Sequence, residues 1–281
     1  MIDIPDFLKS TDLLYHYTKS YTALEHILYE NRLKFATVLN SIDPIERERF
    51  NLGREYIGID SLNNIFSETQ EDALIVEKEI DNLLDQIKII CFCENKIPRK
   101  NGIGKREFKL DNYGFLKPRM WDQYGEKYKG VCLAFSKKAL LEKSQFDFSK
   151  KVKYVDYKKL ALNFSHININ SLVRIGKEKY IENVSNGIID TFFQKHLDYR
   201  DEREFRLIKK SVNEHEFLDI SSSIKAIIIN PSILDNNFIN NSIVEYANKN
   251  GIEVLHLFWD KRGVRIWSQS LINSVEKKTS R

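Results

Sequence analysis

The chain has 281 residues, 42% hydrophobic and 12% aromatic, with 44 Lys or Arg against 40 Asp or Glu and a formal net charge of +4. That is enough apolar material to bury a full core, and it excludes a disordered chain. No apolar run approaches the roughly 20 residues of a membrane helix, and Met1-Ile2-Asp3-Ile4-Pro5-Asp6 lacks the basic and apolar blocks of a signal peptide, so no membrane partner is expected.

The modest net charge hides a segregation. Residues 53–86 carry nine acidic and two basic side chains, a net of −7, whereas residues 96–159 carry eighteen basic and seven acidic ones, a net of +11. A basic middle third suits a polyanionic partner or the diphosphate of a dinucleotide, and it equally suits an ordinary Lys-rich surface. Cys91, Cys93 and Cys132 lie in apolar, strand-like runs without metal-ligand spacing. They read as buried free thiols of a reducing cytoplasm, and no metal is expected.

In chain order, residues 13–18 form a strand that presents His16 and Thr18 on one face. A helix follows, with Ser20 as its N-cap and Asn31 at its close, then a strand over 32–36. Asp43-Pro44 opens a short helix, Asp43 capping and Pro44 in the first turn. Residues 67–87 are the clearest helix: Ser67 and Gln70 make a capping box, and Ala73, Val76, Ile80, Leu83 and Ile87 recur at helical spacing. Residues 53–86 therefore read as an acidic helical insert packed on the main body.

The run 87–93 is too apolar for a one-sided strand and reads as a central one. The long Lys/Arg/Gly-containing loop 96–119 reads as a substrate-recognition loop. Trp121 and Tyr124 then share one helical face, able to stack on a planar ring or to fill a core. Strands are expected over 130–135 and 151–157, and a helical segment over about 171–198. Residues 224–230, a helix over 238–249 closed by Gly251, and residues 252–259 read as a β-α-β unit, with no Gly-rich phosphate loop beside it.

The stretch Tyr199-Arg200-Asp201-Glu202-Arg203-Glu204-Phe205-Arg206-Leu207-Ile208 enters a strand from a charged turn. At a period of two, Glu202, Glu204 and Arg206 project from one face. Two carboxylates and a guanidinium there make either a solvated edge with an ion pair or a carboxylate aimed into a cleft.

Leu14-Tyr15-His16-Tyr17-Thr18, Asp43-Pro44-Ile45-Glu46, Ile90-Cys91-Phe92-Cys93, Met120-Trp121-Asp122-Gln123-Tyr124, Gly130-Val131-Cys132-Leu133-Ala134-Phe135 and Glu202-Arg203-Glu204-Phe205-Arg206 stand in an order that resembles the bacterial domain-of-unknown-function family 2971. That family looks like a distant branch of the ADP-ribosyltransferase superfamily. The resemblance covers roughly residues 14–258 and implies a single α+β domain over 1–281 with an ADP-ribosyltransferase-like split β-sheet core and helical inserts. It further implies NAD as substrate, gripped by Tyr15, His16, Tyr17 and Thr18 on the first strand. Tyr124 or Trp121 would flank the nicotinamide, Glu204 would polarise the ribose, and Glu202 and Arg206 would assist. The biological setting it implies is a toxin or antiviral-defence effector.

Cleavage of the nicotinamide–ribose bond develops positive charge on the sugar, which a carboxylate on a ribose hydroxyl stabilises. Three functions are open at this level. One is an ADP-ribosyltransferase acting on nucleic acid or protein held by residues 96–159. The others are an NAD hydrolase using the same pocket, and an inactive NAD- or nucleic-acid-binding module.

Overall fold

The structure, a computed structural model, describes residues 4–38, 55–57, 67–96, 112–160, 166–230, 237–260 and 263–269. The expected helix at Asp43-Pro44 and most of the loop 96–119 lie outside these residues. The strands in chain order are β1 Leu13–Thr18, β2 Arg32–Thr37, β3 Glu55–Ile57, β4 Ile87–Glu94, β5 Val131–Ser136, β6 Phe148–Lys151, β7 Lys153–Val155, β8 His166–Asn168, β9 Gln194–His196, β10 Glu204–Lys210, β11 Glu216–Asp219, β12 Ile224–Ile229, β13 Glu253–Asp260 and β14 Gly263–Ser268.

Ten of these strands make one mixed sheet in the order β11-β2-β4-β1-β5-β12-β13-β14, with β10 on β4 and β6 on β10. Strand pairs in it are antiparallel except β12 and β13, which run parallel on either side of the helix Asn237–Asn250, the expected β-α-β unit. The fold is thus mixed α+β, as expected.

β4 organises the sheet. β10 pairs along one whole edge, from Glu204↔Cys93 to Lys210↔Ile87. The other edge is shared: β1 pairs only at Leu14↔Glu94 and Tyr15↔Cys93, and β2 only at Ala36↔Ile89 and Thr37↔Lys88. Between those two pairings β1 leaves β4 and stays with β5 along six positions, Leu13↔Ser136 to Thr18↔Val131. The sheet therefore opens beside Ile90, Cys91 and Phe92.

The apolar clusters follow the two-residue period of the strands. On one face Leu14, Ile90, Phe92, Leu133, Phe205 and Leu207 pack with Leu24, Ile27 and Ile243 from two helices. The opposite face carries two separate clusters. Tyr15, Tyr17, Cys93 and Cys132 pack under Phe115 and Trp121, while Ile87, Ile89 and Ile208 pack under the helices Ser67–Gln86, Ile169–Ile175 and Lys177–Thr191. Alternate positions on β4 thus serve one cluster at Cys93 and the other at Ile89, and Cys91 lies between them, exposed.

Several sequence expectations are corrected here. Residues 53–86 include the short strand β3, which pairs with β8, besides the helix Ser67–Gln86. The segment 171–198 is not continuously helical. Gly176, at φ 84°, breaks it into two helices, and β9 replaces its end by pairing with β7. The single strand expected over 151–157 is two strands, parted at the buried Val152. Ser20 caps nothing with its own side chain. Instead its backbone N–H and hydroxyl donate to the Glu126 carboxylate at 3.2 and 3.0 Å, tying the turn after Tyr124 to the helix that follows β1.

Candidate active site

A cavity of about 350 Å³ occupies the gap between the two clusters on that face. Its walls include His16, Lys34, Cys91, Tyr124, Lys195 and the Glu202–Glu204–Arg206 group. The expected residues His16, Tyr124, Glu202 and Glu204 are therefore brought to one cavity from β1, the turn at 124–130, a 3-10 turn and β10.

Glu202 is not on the strand. It ends the 3-10 turn Leu197–Glu202, and Arg203, in the left-handed region at φ 48°, reverses the chain into β10. The strand itself is buried on both faces from Glu204 to Ile208, so the half-solvated sheet edge that the charges allowed is excluded. The backbone N–H of Glu204 donates to the Tyr154 hydroxyl at 2.8 Å, which fixes the start of the strand.

The carboxylates are held by cations from three elements. Arg206 grips Glu204 with both arms, Nε to Oε1 at 2.8 Å and Nη2 to Oε2 at 2.9 Å, while its Nη1 donates to the Phe192 carbonyl at 2.7 Å. Lys195 on β9 stands between the two acids, 2.8 Å from Glu202 and 3.5 Å from Glu204. Arg119 closes the other side of Glu202 at 2.7 Å. The Tyr199 ring lies under both Arg119 and Lys195, each 4.6 Å from its centroid. Sequence reading missed Lys195 and Arg119. The signal available was the charge sum: two inward carboxylates and one Arg call for a further cation.

Burial would push the Glu204 carboxyl up, but the Arg206 guanidinium and the Lys195 ammonium outweigh it and hold the group well below the ordinary range. Burial wins at Glu202, whose carboxyl is pushed up despite Lys195, with Glu204 adding to the rise. The pair is thus split, Glu204 the more acidic. A carboxylate offers about four acceptor positions. Those cation contacts occupy three on Glu204, and the Cys91 thiol donates to the same carboxylate.

His16 reaches the cavity through the opening in the sheet. Its ring meets Phe92 edge-on at 5.8 Å, on the face away from Tyr17. Its Nδ1 is 3.0 Å from the Cys91 carbonyl, on the edge of β4 that neither β1 nor β2 pairs there. A carbonyl only accepts, so Nδ1 carries the proton and Nε2 is an acceptor. Burial pushes the imidazole pKa down, which keeps it neutral.

Two of the expected cofactor contacts, Trp121 and Thr18, lie outside the cavity lining. Trp121 is fully buried, edge-on to Tyr17 at 5.2 Å with its indole N–H donated to the Phe115 carbonyl, so it supports the wall from behind and does not line it. Thr18 is buried and outside the lining as well. Tyr15 and Tyr17 present rings to the cavity, but their hydroxyls are committed to the Leu8 and Gly114 carbonyls at 3.1 and 2.7 Å. Burial pushes the Tyr124 phenol up, so it stays protonated. Cys91, expected buried, is exposed in the lining.

The basic middle segment is partly neutralised. Lys137 and Lys151 both hold Glu94, Lys143 holds Asp219, Lys150 holds Asp190 and Arg119 holds Glu202. Those acids lie outside the segment, so its sequence excess overstates its free positive surface. Among the described residues no group of three or more His, Cys, Asp or Glu could hold a metal, and no helix is long and apolar enough to cross a membrane.

The fold and site define a mixed α+β protein with a buried carboxylate–cation cluster at an opening in its sheet. Residues 120–207 match a family model described as "Protein of unknown function (DUF2971)". The matched span runs from Met120 on the cavity wall to the strand bearing Glu204 and Arg206. No curated protein matches the chain, and no solved structure matches it.

Proposed function

We propose that the cavity binds NAD and that the protein is an ADP-ribosyltransferase-like enzyme, with the divided sheet as the split core of that class. The observation that carries the reading is the meeting of His16, Tyr124 and an ionised, buried Glu204 in one cavity of about 350 Å³. That volume lies within the range of small-molecule sites, and its wall is largely apolar, as an aromatic ring requires. Nicotinamide stacks against Tyr124, and Glu204 accepts a hydrogen bond from a ribose hydroxyl that takes the place of the Cys91 thiol. His16 accepts from the sugar through Nε2, holding it in place without acid–base work.

When the C–N bond breaks, its electron pair goes to the nicotinamide ring, which leaves neutral, and the ribose carries the positive charge. Glu204, already ionised, stabilises that charge without reorganisation. Arg206 and Lys195 act through Glu204 by fixing its position and ionisation. An acceptor nucleophile then bonds to the ribose carbon and releases its proton. A nucleic acid or protein would give transfer, and water would give hydrolysis. A toxin or antiviral-defence role in the cytoplasm is the setting that fits a transferase of this kind.

One observation favours the inactive-module reading: every oxygen of Glu202 and Glu204 already faces a cation. Incubation with labelled NAD separates the readings. Label on added RNA, DNA or protein is the expected result. Free ADP-ribose and nicotinamide alone would make the protein a hydrolase, and intact NAD with retained binding would make it a binding module.

A further inference from the structure

The two strands that share one edge of β4 part from it at the same place. Continued at the same register, β1 would set Tyr17 opposite Cys91, and β2 would set Lys34 opposite Cys91. Both cannot, and the opening lies between them. Tyr17 and Lys34 stand on its two lips with Cys91 at the floor, and Arg206 pairs with Cys91 on the far side. Lys34 is exposed, lines the cavity, and has no acidic partner among the described residues.

Charge then selects the ligand. The cavity and its bracing carry four cations, Lys34, Arg119, Lys195 and Arg206, against two carboxylates, Glu202 and Glu204, an excess of two positive charges. Lys195 and Arg206, 5% and 1% exposed, are balanced by Glu202 and Glu204, so the excess sits on Lys34 at the opening and on Arg119 beside Glu202, where an anionic group of a ligand would meet it. The space is too large for a simple ion, and Tyr15, Tyr17, Val38, Ile89 and Met120 give it an apolar wall. A ligand with both an anionic group and a flat apolar part satisfies both features.

We propose that the opening between β1 and β2 is a phosphate subsite with Lys34 as its cation, so that the ligand is a phosphorylated nucleoside. The choice of NAD rests on the transferase reading, where Lys34 takes the phosphate next to the nicotinamide ribose. The charge balance stands without that choice. Lys34 is a binding residue that neither the sequence pattern nor the family match singles out.

Calorimetry with ADP-ribose, inorganic pyrophosphate and nicotinamide riboside tests it, comparing the whole protein with Lys34→Glu and Lys34→Gln. Exposure of the side chain lets both variants fold, which unchanged Tm verifies. The expected result is that Lys34→Glu weakens ADP-ribose and pyrophosphate at least tenfold and Lys34→Gln weakens them less. Nicotinamide riboside, which has no phosphate, stays within twofold. The wild-type affinity for ADP-ribose should also fall as salt rises. Equal ADP-ribose affinity in wild type and Lys34→Glu would overturn the proposal, as would a wild type that binds neither phosphate compound. Lys34-dependent ADP-ribose binding without NAD turnover would uphold the subsite and remove the transferase reading.

Discussion

Glu204→Gln is expected to lower NAD turnover about a hundredfold or more, the scale of losing one preorganised transition-state contact. The neutral amide cannot stabilise a cationic ribose as the carboxylate does. The same change also leaves Arg206 and Lys195 short of a counter-charge in a buried site, so it should cost about 1–3 kcal/mol of stability. Glu204→Asp separates the two effects. It keeps the charge but draws the carboxylate back by one methylene, and a misplacement of about 1 Å can itself cost about a hundredfold in rate. Steady-state nicotinamide release and thermal melts of both variants check this. Loss of turnover in Glu204→Asp beside a near-normal melt supports a catalytic Glu204. Wild-type turnover in both variants would move the role elsewhere, with Glu202 next.

The largest effect on stability is expected at Arg206. Its side chain is 1% exposed and directs donors inward, two to Glu204 and one to the Phe192 carbonyl. Arg206→Met strands the Glu204 charge and leaves that carbonyl without this donor. Breaking a buried pair from one side typically costs about 3–5 kcal/mol. For a chain of this size that lowers Tm by on the order of ten degrees. Arg206→Lys is not a conservative change here, because an ammonium cannot make the two-armed grip. Denaturant melts of the three proteins decide it. A cost under about 1 kcal/mol for Arg206→Met would show that the pair contributes little beyond its own desolvation.

Much of this was written in local pattern. The helix Ser67–Gln86 followed from the spacing of Ala73, Val76, Ile80 and Leu83, which the structure buries. The parallel β12–β13 pair followed from two apolar runs around an amphipathic helix. Glu204 and Arg206 share a face because a strand has a period of two, and that face does line the cavity.

The rest depended on long-range pairing, which no local window carries. Lys195 looked like the end of a helix. It is a cavity residue because Gly176 interrupts the helix and β9 pairs with β7. Cys91 looked like any other member of an apolar strand. It is exposed because two clusters on one face end on either side of it. Trp121 and Tyr124 share a helical face on paper, yet the helix Pro118–Gln123 ends between them, so one is core and the other is wall.

That exposed thiol gives a direct test of where NAD sits. Cys93 and Cys132 are buried, and burial pushes both thiols well up, so iodoacetamide should alkylate Cys91 first in the native protein. Mass spectrometry of the alkylated protein, with and without NAD, reads occupancy of the cavity independently of any turnover. Saturating NAD is predicted to slow Cys91 alkylation at least tenfold. An alkylation rate at Cys91 that saturating NAD leaves unchanged would contradict NAD binding in this cavity.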